Sequence, residues 1–325
     1  MLNYIIRRIL YAIPILVGVN LITFTLFFVV NTPDDMARMH LGIKHVTDEA
    51  IVKWKQEHGY DKPLLYNTEA EGVAKLTSTI FYEKSIAMFV FDFGHADDGR
   101  DIAHEIKSRI LPSLAIALPV FLLGLLTYIT FALIMVFFRM TYIDFWSVVL
   151  CVALMSISSL FYIIGGQFLV SKLWHLVPIS GYGSGLDAGR FLLLPVIIGV
   201  VSSAGANVRW YRTIFLEEMN KEYVRTARAK GLPESIVLFR HVLKNALIPI
   251  FTGAVVVVPL LFLGSLITES FFGIPGLGSY TIEAINSQDF AVVRAMVFLG
   301  SLLYIVGLIL TDISYTLVDP RIRLE

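Results

Sequence analysis

The chain has 325 residues, 56% of them hydrophobic and 16% charged, and its mean hydropathy of +0.73 excludes an ordinary soluble domain. Its 26 lysines and arginines balance 26 acids, so bulk electrostatics give no ground for a nucleic-acid partner. The single cysteine, Cys151, lies in an apolar run, which excludes both a disulfide framework and a cysteine metal site.

The opening MLNYIIRR sets Arg7 and Arg8 before an apolar run from Ile9 to Val30, long enough to cross a bilayer, which takes roughly 20 residues. The run is too long for the apolar core of a signal peptide, and no small-residue cleavage site follows it. An uncleaved first membrane helix is expected, with its N-terminus held in the cytoplasm by Arg7 and Arg8 and its far end emerging near Asn31. Residues 31–110 change to mixed charge and are expected to form a small exported domain. Within it Thr47, followed by Asp48 and Glu49, predicts a helix start, and Gly59 its end. Lysines and arginines here do not contradict export, because long loops translocate largely regardless of charge.

Residues 111–325 read as the core domain. Apolar runs at Leu111–Phe138, Phe145–Val170, Phe191–Val208, Ile250–Ile267 and Val292–Leu317 bring the expected spans to six. The short link RMTYID with Arg139, the polar stretch 217–249 and the tail 318–325 with Arg321 and Arg323 then fall in the cytoplasm. The outer link between Ser171 and Arg190 carries only Lys172 and Arg190. Six spans with both ends inside satisfy the positive-inside rule. The expected fold class is an all-α integral membrane protein, in contact with lipid, with an outward loop at 269–291.

The stretch from Glu217 to Pro249, EEMNKEYVRTARAKGLPESIVLFRHVLKNALIP, is the longest polar insertion between apolar runs. Lys221, Arg225 and Arg228 recur at helical spacing, and Gly231 with Pro233 gives a stop and a restart. The prediction is helix, sharp turn, helix. In the second half Ile236, Phe239, Val242, Leu243, Ala246 and Leu247 are expected near one face, an apolar side to be buried against membrane, neighbouring helices or another protein. By itself the basic face also reads as nothing more than a solvated inside loop.

The run EYVRTARAKG followed by RHVLKNALIP resembles the cytoplasmic loop of ABC importer permease subunits, in the dipeptide, oligopeptide and nickel branch. The resemblance implies a coupling helix that docks on an ATPase subunit, carried here by Glu222, Arg225, Thr226, Ala227, Arg228, Ala229, Gly231, His241 and Asn245. The general importer pattern is Glu-Ala-Ala, three residues, then Gly. Arg225, Thr226 and Ala227 stand in its first three places, with Glu222 one turn earlier, a departure the peptide branch shares. Other segments are similar to the same family: GYDKPL at Gly59–Leu64, the looser FDFG at Phe91–Gly94, IKSRILPSLAIAL at Ile106–Leu118, PGLG within the outward loop, and the closing DPR. The resemblance implies a homologous second permease, two ATPase subunits holding ATP and magnesium, and an extracytoplasmic substrate-binding protein met at Gly273, Pro275, Gly276 and Gly278. The chain itself is expected to bind no cofactor and to catalyse nothing, and the cargo implied is short peptides.

Other motifs are weaker. GIPGLG lacks the Lys and Ser/Thr of a phosphate loop, and IGGQ at Ile164–Gln167 sits inside an apolar span. No G-x-x-x-x-G-K-S/T occurs, so energy for uphill transport must come from a separate ATPase or an ion gradient. Polar groups inside a membrane cost roughly 2.5–3.5 kcal/mol per central charge and each needs a reason. Asn20, Gln167, Ser202, Asn207, Glu269 and Asp312 are candidates for a polar pathway or for helix packing. A proton-coupled secondary transporter using Asp312 and Glu269 is the alternative, and a membrane scaffold without transport activity a further one. The histidines His40, His45, His58, His95, His104, His175 and His241 have no metal-ligand spacing.

Overall fold

The computed structural model describes residues 2–42, 47–183 and 185–318; His45, Arg321 and Arg323 lie outside them. Among the described residues the chain is helical, with one isolated antiparallel bridge between His95 and Asp101 and no strand. Five helices are long and apolar enough to cross a membrane, Ile6–Val30, Ile102–Phe137, Ala188–Met219, Glu234–Leu263 and Phe290–Ser314. A sixth candidate is the pair Tyr142–Ser156 and Ser159–Leu173, bent by 87°. Large apolar side chains such as Leu10, Leu111 and Phe161 stand exposed along these helices, as expected where the solvent is lipid.

The contacts divide the chain into two compact units. The first comprises residues 1–109 and 280–309. Helix α1 (Leu2–Phe24) ends in a π-helical turn at Thr25–Val30, and α2 (Pro33–Leu41) and α3 (Asp48–His58) follow. Thr32 starts α2 in a reciprocal cap, its hydroxyl accepting from the Asp35 N–H while the Asp35 carboxylate accepts from the Thr32 N–H. Thr47 caps α3, and Gly59 closes it at φ 68°. Phe24, Phe28, Met36, Ala37, Ile51, Trp54, Tyr60 and Ile80 share one core, so the far end of the first span is built into the polar segment that follows. A short helix α4 (Ala74–Thr77) lies within that segment. Helix α14 (Phe290–Val318) contributes Arg294, fully buried, whose guanidinium lies 4.7 Å from the Phe28 ring centre and donates to the Lys84 carbonyl.

The second unit comprises, of the described residues, those of 110–279 and 310–318. Its helices are α5 (Ile102–Phe137, which enters it after Arg109), α6 (Tyr142–Ser156), α7 (Ser159–Gly166, prolonged by π-helical turns to Leu173), α8 (Ala188–Met219), α9 (Glu222–Ala229), α10 (Glu234–Ile236), α11 (Leu243–Leu260) and α12 (Leu266–Phe272). Helix α13 (Leu277–Ser287) begins in it. Helices α6 and α8 run antiparallel and close, and Gly205 permits this: a Cβ there would strike the Cys151 carbonyl and lie 2.9 Å from the Met155 nitrogen.

The helices differ from the apolar runs in three ways. The third expected span, Phe145–Val170, is broken at Ile157–Ser158, where both residues are extended. A run of serines and a β-branched residue, SISS, offers the backbone side-chain partners in place of the helix ladder, and the Ser156 hydroxyl donates to the Val152 carbonyl at 2.7 Å. The fourth span runs on from Val208 to Met219, and the fifth begins at Glu234 rather than Ile250. Polar residues end an apolar run without ending a helix. The fifth span also stops early, at Gly264 with φ 68°.

Candidate functional site

The polar stretch 217–249 is a rigid elbow. Helix α8 passes through Asn220 into α9, and Gly231 at φ 77° with Pro233 turns the chain into α10. A π-helical turn at Val237–Val242 then carries it into α11. Val224 and Ala227 of α9 and Val237, Leu238, Val242, Ala246 and Ile250 are buried in one core with Leu133, Met135 and Val136 of α5 and Phe215 and Met219 of α8. Only part of the face predicted for the second half is buried within the chain, Val242 and Ala246 fully and Leu243 partly. Ile236 and Phe239 are exposed at 40% and 57%, because the wider π turn places Val237 over Val242 and shifts the buried stripe.

Polar contacts stiffen the elbow further. Arg228 donates twice across the turn, Nε to Glu234 Oε2 at 3.1 Å and Nη2 to Oε1 at 2.6 Å, a fork-to-fork geometry. Arg225 pairs with Glu222 at 2.8 Å. Tyr223 donates to Glu218, and burial, aided by that carboxylate, pushes its hydroxyl up to about 12. Of the residues predicted to meet an ATPase, Glu222, Arg225, Thr226, Ala229 and Gly231 are exposed, and Arg228 is half-buried against Glu234. Ala227 is buried and fixes α9 to its core. His241 and Asn245 are half-buried at the root, where the Asn245 amide donates to the His241 carbonyl.

The second feature is a cavity of about 770 Å³ lined by α5, α7, α8, α11 and the segment up to Glu269. Phe121, Tyr128 and Trp210 give it an aromatic wall, Ser202, Ser203 and Asn207 a polar one. Glu269 closes one end, fully buried. Its Oε1 accepts from the Ser265 N–H at 3.0 Å, and its Oε2 from the N–H groups of Gly278 and Ser279 at 2.7 and 3.1 Å. The Ser113 hydroxyl accepts from the Leu277 N–H at 2.8 Å and is itself hydrogen-bonded to the carboxyl of Glu269. Burial pushes the carboxyl up from its ordinary range, while these donors pull the other way. The carboxylate is thus the anion at the start of α13, and the PGLG turn is folded around it. Gly264 and Gly276 leave it room, since a Cβ on either would overlap a Glu269 oxygen.

The remaining candidates scatter. Asn20 is buried in the first unit, its amide donating to the Ser85 carbonyl at 3.1 Å. Gln167 donates to the carbonyls of Ile179 and Phe271, both at 3.0 Å, tying the segment after α7 to the end of α12. Asn207 lines the cavity while donating to Ser203 one turn back. Asp312 is half-buried within α14. Gly273 closes α12 at φ 63°. Among the described residues no cluster of histidine, cysteine or acid fits a metal. Two residues that tie α6 to α8, Asp144 and Arg212, were not singled out from the sequence. Each is explained there by a bland rule, a helix N-terminal acid and an inside arginine, and only the fold pairs them.

A continuous match covers most of this architecture. The family of binding-protein-dependent transport system inner membrane components matches residues 106–324, and the family describing the N-terminal part of such membrane components matches residues 1–86. The chain belongs to this family. The permease is similar along its length to named relatives: 31% identical to the di/tripeptide transport system permease protein DppB of Pseudomonas aeruginosa, over 99% of both chains. It is 29% identical to the glutathione transport system permease protein GsiC of Shigella flexneri, again over 99% of both, and 26% to the oligopeptide transport system permease protein AppB of Bacillus subtilis, over 99% of this chain and all of that one. It is therefore a multi-pass inner-membrane permease of an ABC importer, a class that works with a binding protein and an ATPase. The proton-coupled alternative finds no support in these relatives.

Proposed function

We propose that this permease forms half of the translocation pathway of an ATP-driven importer of short peptides. It would pair with a homologous permease and two ATPase subunits, which hold ATP and magnesium and perform the hydrolysis. Both termini would lie in the cytoplasm. The ATPase would seat on the exposed face of α9, at Glu222, Arg225, Thr226 and Ala229, and the binding protein would meet the outward turn from Gly273 to Gly278. The reading rests on one observation above all: the elbow shares a continuous apolar core with α5, α8 and α11, so a push on α9 reaches three membrane helices without being lost in a loop. The peptide cargo is carried over from the relatives' names.

The test is a crosslink from the elbow. Cys151→Ser with Ala229→Cys leaves one exposed thiol on α9. In native membranes it should capture an ATP-binding protein, with a yield that changes when nucleotide is trapped. Capture of no nucleotide-binding protein, together with uptake driven by a pH gradient alone, would overturn the proposal.

A further inference from the structure

The elbow core is built mainly from α5, α8 and α11, and the third span enters it only through Cys151, with Val148 packed alongside. Its inner half, α6, touches α8 closely at Gly205, where the Cys151 carbonyl and Met155 approach. Seven residues along each helix in opposite directions, two turns on, stands the pair Arg212 and Asp144. Arg212 Nε donates to Asp144 Oδ1 at 3.1 Å and Nη2 to Oδ2 at 2.8 Å. The Met140 N–H also donates to Asp144, at 3.4 Å, so the carboxylate holds the α5–α6 link as well as α8. Both side chains are largely enclosed, at 25% and 13% exposure. Beyond α6 the span breaks at Ile157–Ser158 and bends by 87° into α7. Across the break the Tyr162 hydroxyl donates to the Leu154 carbonyl at 2.7 Å, satisfying one of the backbone acceptors that the lost helical turn leaves bare.

We infer that the Asp144–Arg212 pair is a positioning tie that makes α6 move with the elbow as one body, and that the break at Ile157–Ser158 is the joint at which α6 turns against α7. This rests on the proposed coupling role and extends it to a span that meets the elbow core only at Cys151 and Val148. A forked ion pair suits the task because two parallel bonds fix direction as well as distance. A simple apolar contact at the same place would let the helices slide. The serines at the joint and the Tyr162 bond supply local hydrogen bonds when the angle changes, so the bend costs no bare backbone in the membrane.

The experiment uses the complete complex in proteoliposomes, measuring cargo uptake and ATP turnover together, with nitroxide pairs at Val149 and Phe161 reporting the α6–α7 angle. ATP-driven uptake by the unaltered complex stands or falls separately and decides the coupling role itself. Asp144→Asn keeps the shape and removes the charge; it should lower cargo moved per ATP by about tenfold while ATP turnover persists, and abolish the nucleotide-dependent change in label distance. Arg212→Lys keeps the charge but loses the fork and should give an intermediate loss. The exchange Asp144→Arg with Arg212→Asp should recover a large part of both readouts. If assembled Asp144→Asn and Arg212→Lys complexes move as much cargo per ATP as the unaltered one, or keep the same label response, the tie is wrong. If Asp144→Asn fails to assemble, the Arg212→Lys result decides alone.

Discussion

Glu269 is a charged residue at the end of a cavity, which invites a transport role, but its hydrogen bonds argue for an architectural one. Ser113 and the backbone N–H groups of Ser265, Gly278 and Ser279 bond this carboxyl, leaving little capacity for a carried proton or a cargo amine. Glu269→Ala would strand the two buried N–H groups of Gly278 and Ser279, each costing about 1–3 kcal/mol, and free the part-buried one of Ser265. Thermal unfolding in detergent should fall accordingly and uptake should be lost. Glu269→Gln should be nearly as harmful, because its NH₂ would face donors. A variant that kept normal stability and lost only pH-dependence would restore Glu269 as a carrier. Gly276→Ala, which overlaps the same carboxylate, should cost about 2 kcal/mol. Gly231→Ala tests the opposite case: nothing lies near a Cβ there, so its φ of 77° alone should cost about 1–2 kcal/mol. It should reduce transport per ATP more than stability, measured side by side.

At the scale of elements, the first unit carries its own titration. His58 stacks on Trp54 with ring centres 4.1 Å apart and donates Nδ1–H to the Trp54 carbonyl at 2.8 Å. Its Nε2 faces Asp97 at 3.5 Å, and His40 Nδ1 approaches the other Asp97 oxygen at 3.6 Å. Only the imidazolium donates at both nitrogens, and the bond to Asp97 raises the His58 pKa above 6.5 against the cost of burial. A raised folded pKa means the stabilisation is complete below 6.5 and is lost as pH climbs through the higher folded value. Unfolding of the first unit, followed by Trp54 emission, should therefore weaken across that interval, and Asp97→Asn should flatten the dependence. The contacts that make this pair were not legible in the sequence, since His58 and Asp97 stand in separate segments with no ligand spacing. Local signals were legible where one residue type has one physical use: Thr47 and Gly59 bound α3, and Gly231 with Pro233 turns the elbow. Apolar runs marked where lipid lies but not where helices end: the fourth span runs on to Met219, and in the sequence the helix that restarts after Pro233 reads apart from the fifth span, of which it is the beginning. The π turn at Val237–Val242 defeated a face drawn at the ordinary helical period.

At the scale of the molecule the number of crossings turns on the bent pair. Helix α6 has 15 residues, about 22 Å, too short to cross a hydrocarbon core of about 30 Å alone. Its continuation Ser159–Leu173 is as long and departs at 87°. If each half tilts by about 45°, the two together advance roughly 30 Å, which is one full crossing. Both ends of the pair then carry what the two sides require: Arg139 precedes α6, while the outer segment around Trp174 and Tyr182 is aromatic. A re-entrant pair would instead leave five crossings and put the two termini on opposite sides. Single cysteines in a Cys151→Ser background distinguish these, with Thr68→Cys, which precedes the pair, as the outer reference. An impermeant thiol reagent added outside should label Ser180→Cys and spare Thr141→Cys. Sparing both would make the pair re-entrant, remove the joint at Ile157–Ser158 from the transport path, and move the elbow and the tail to the outer face.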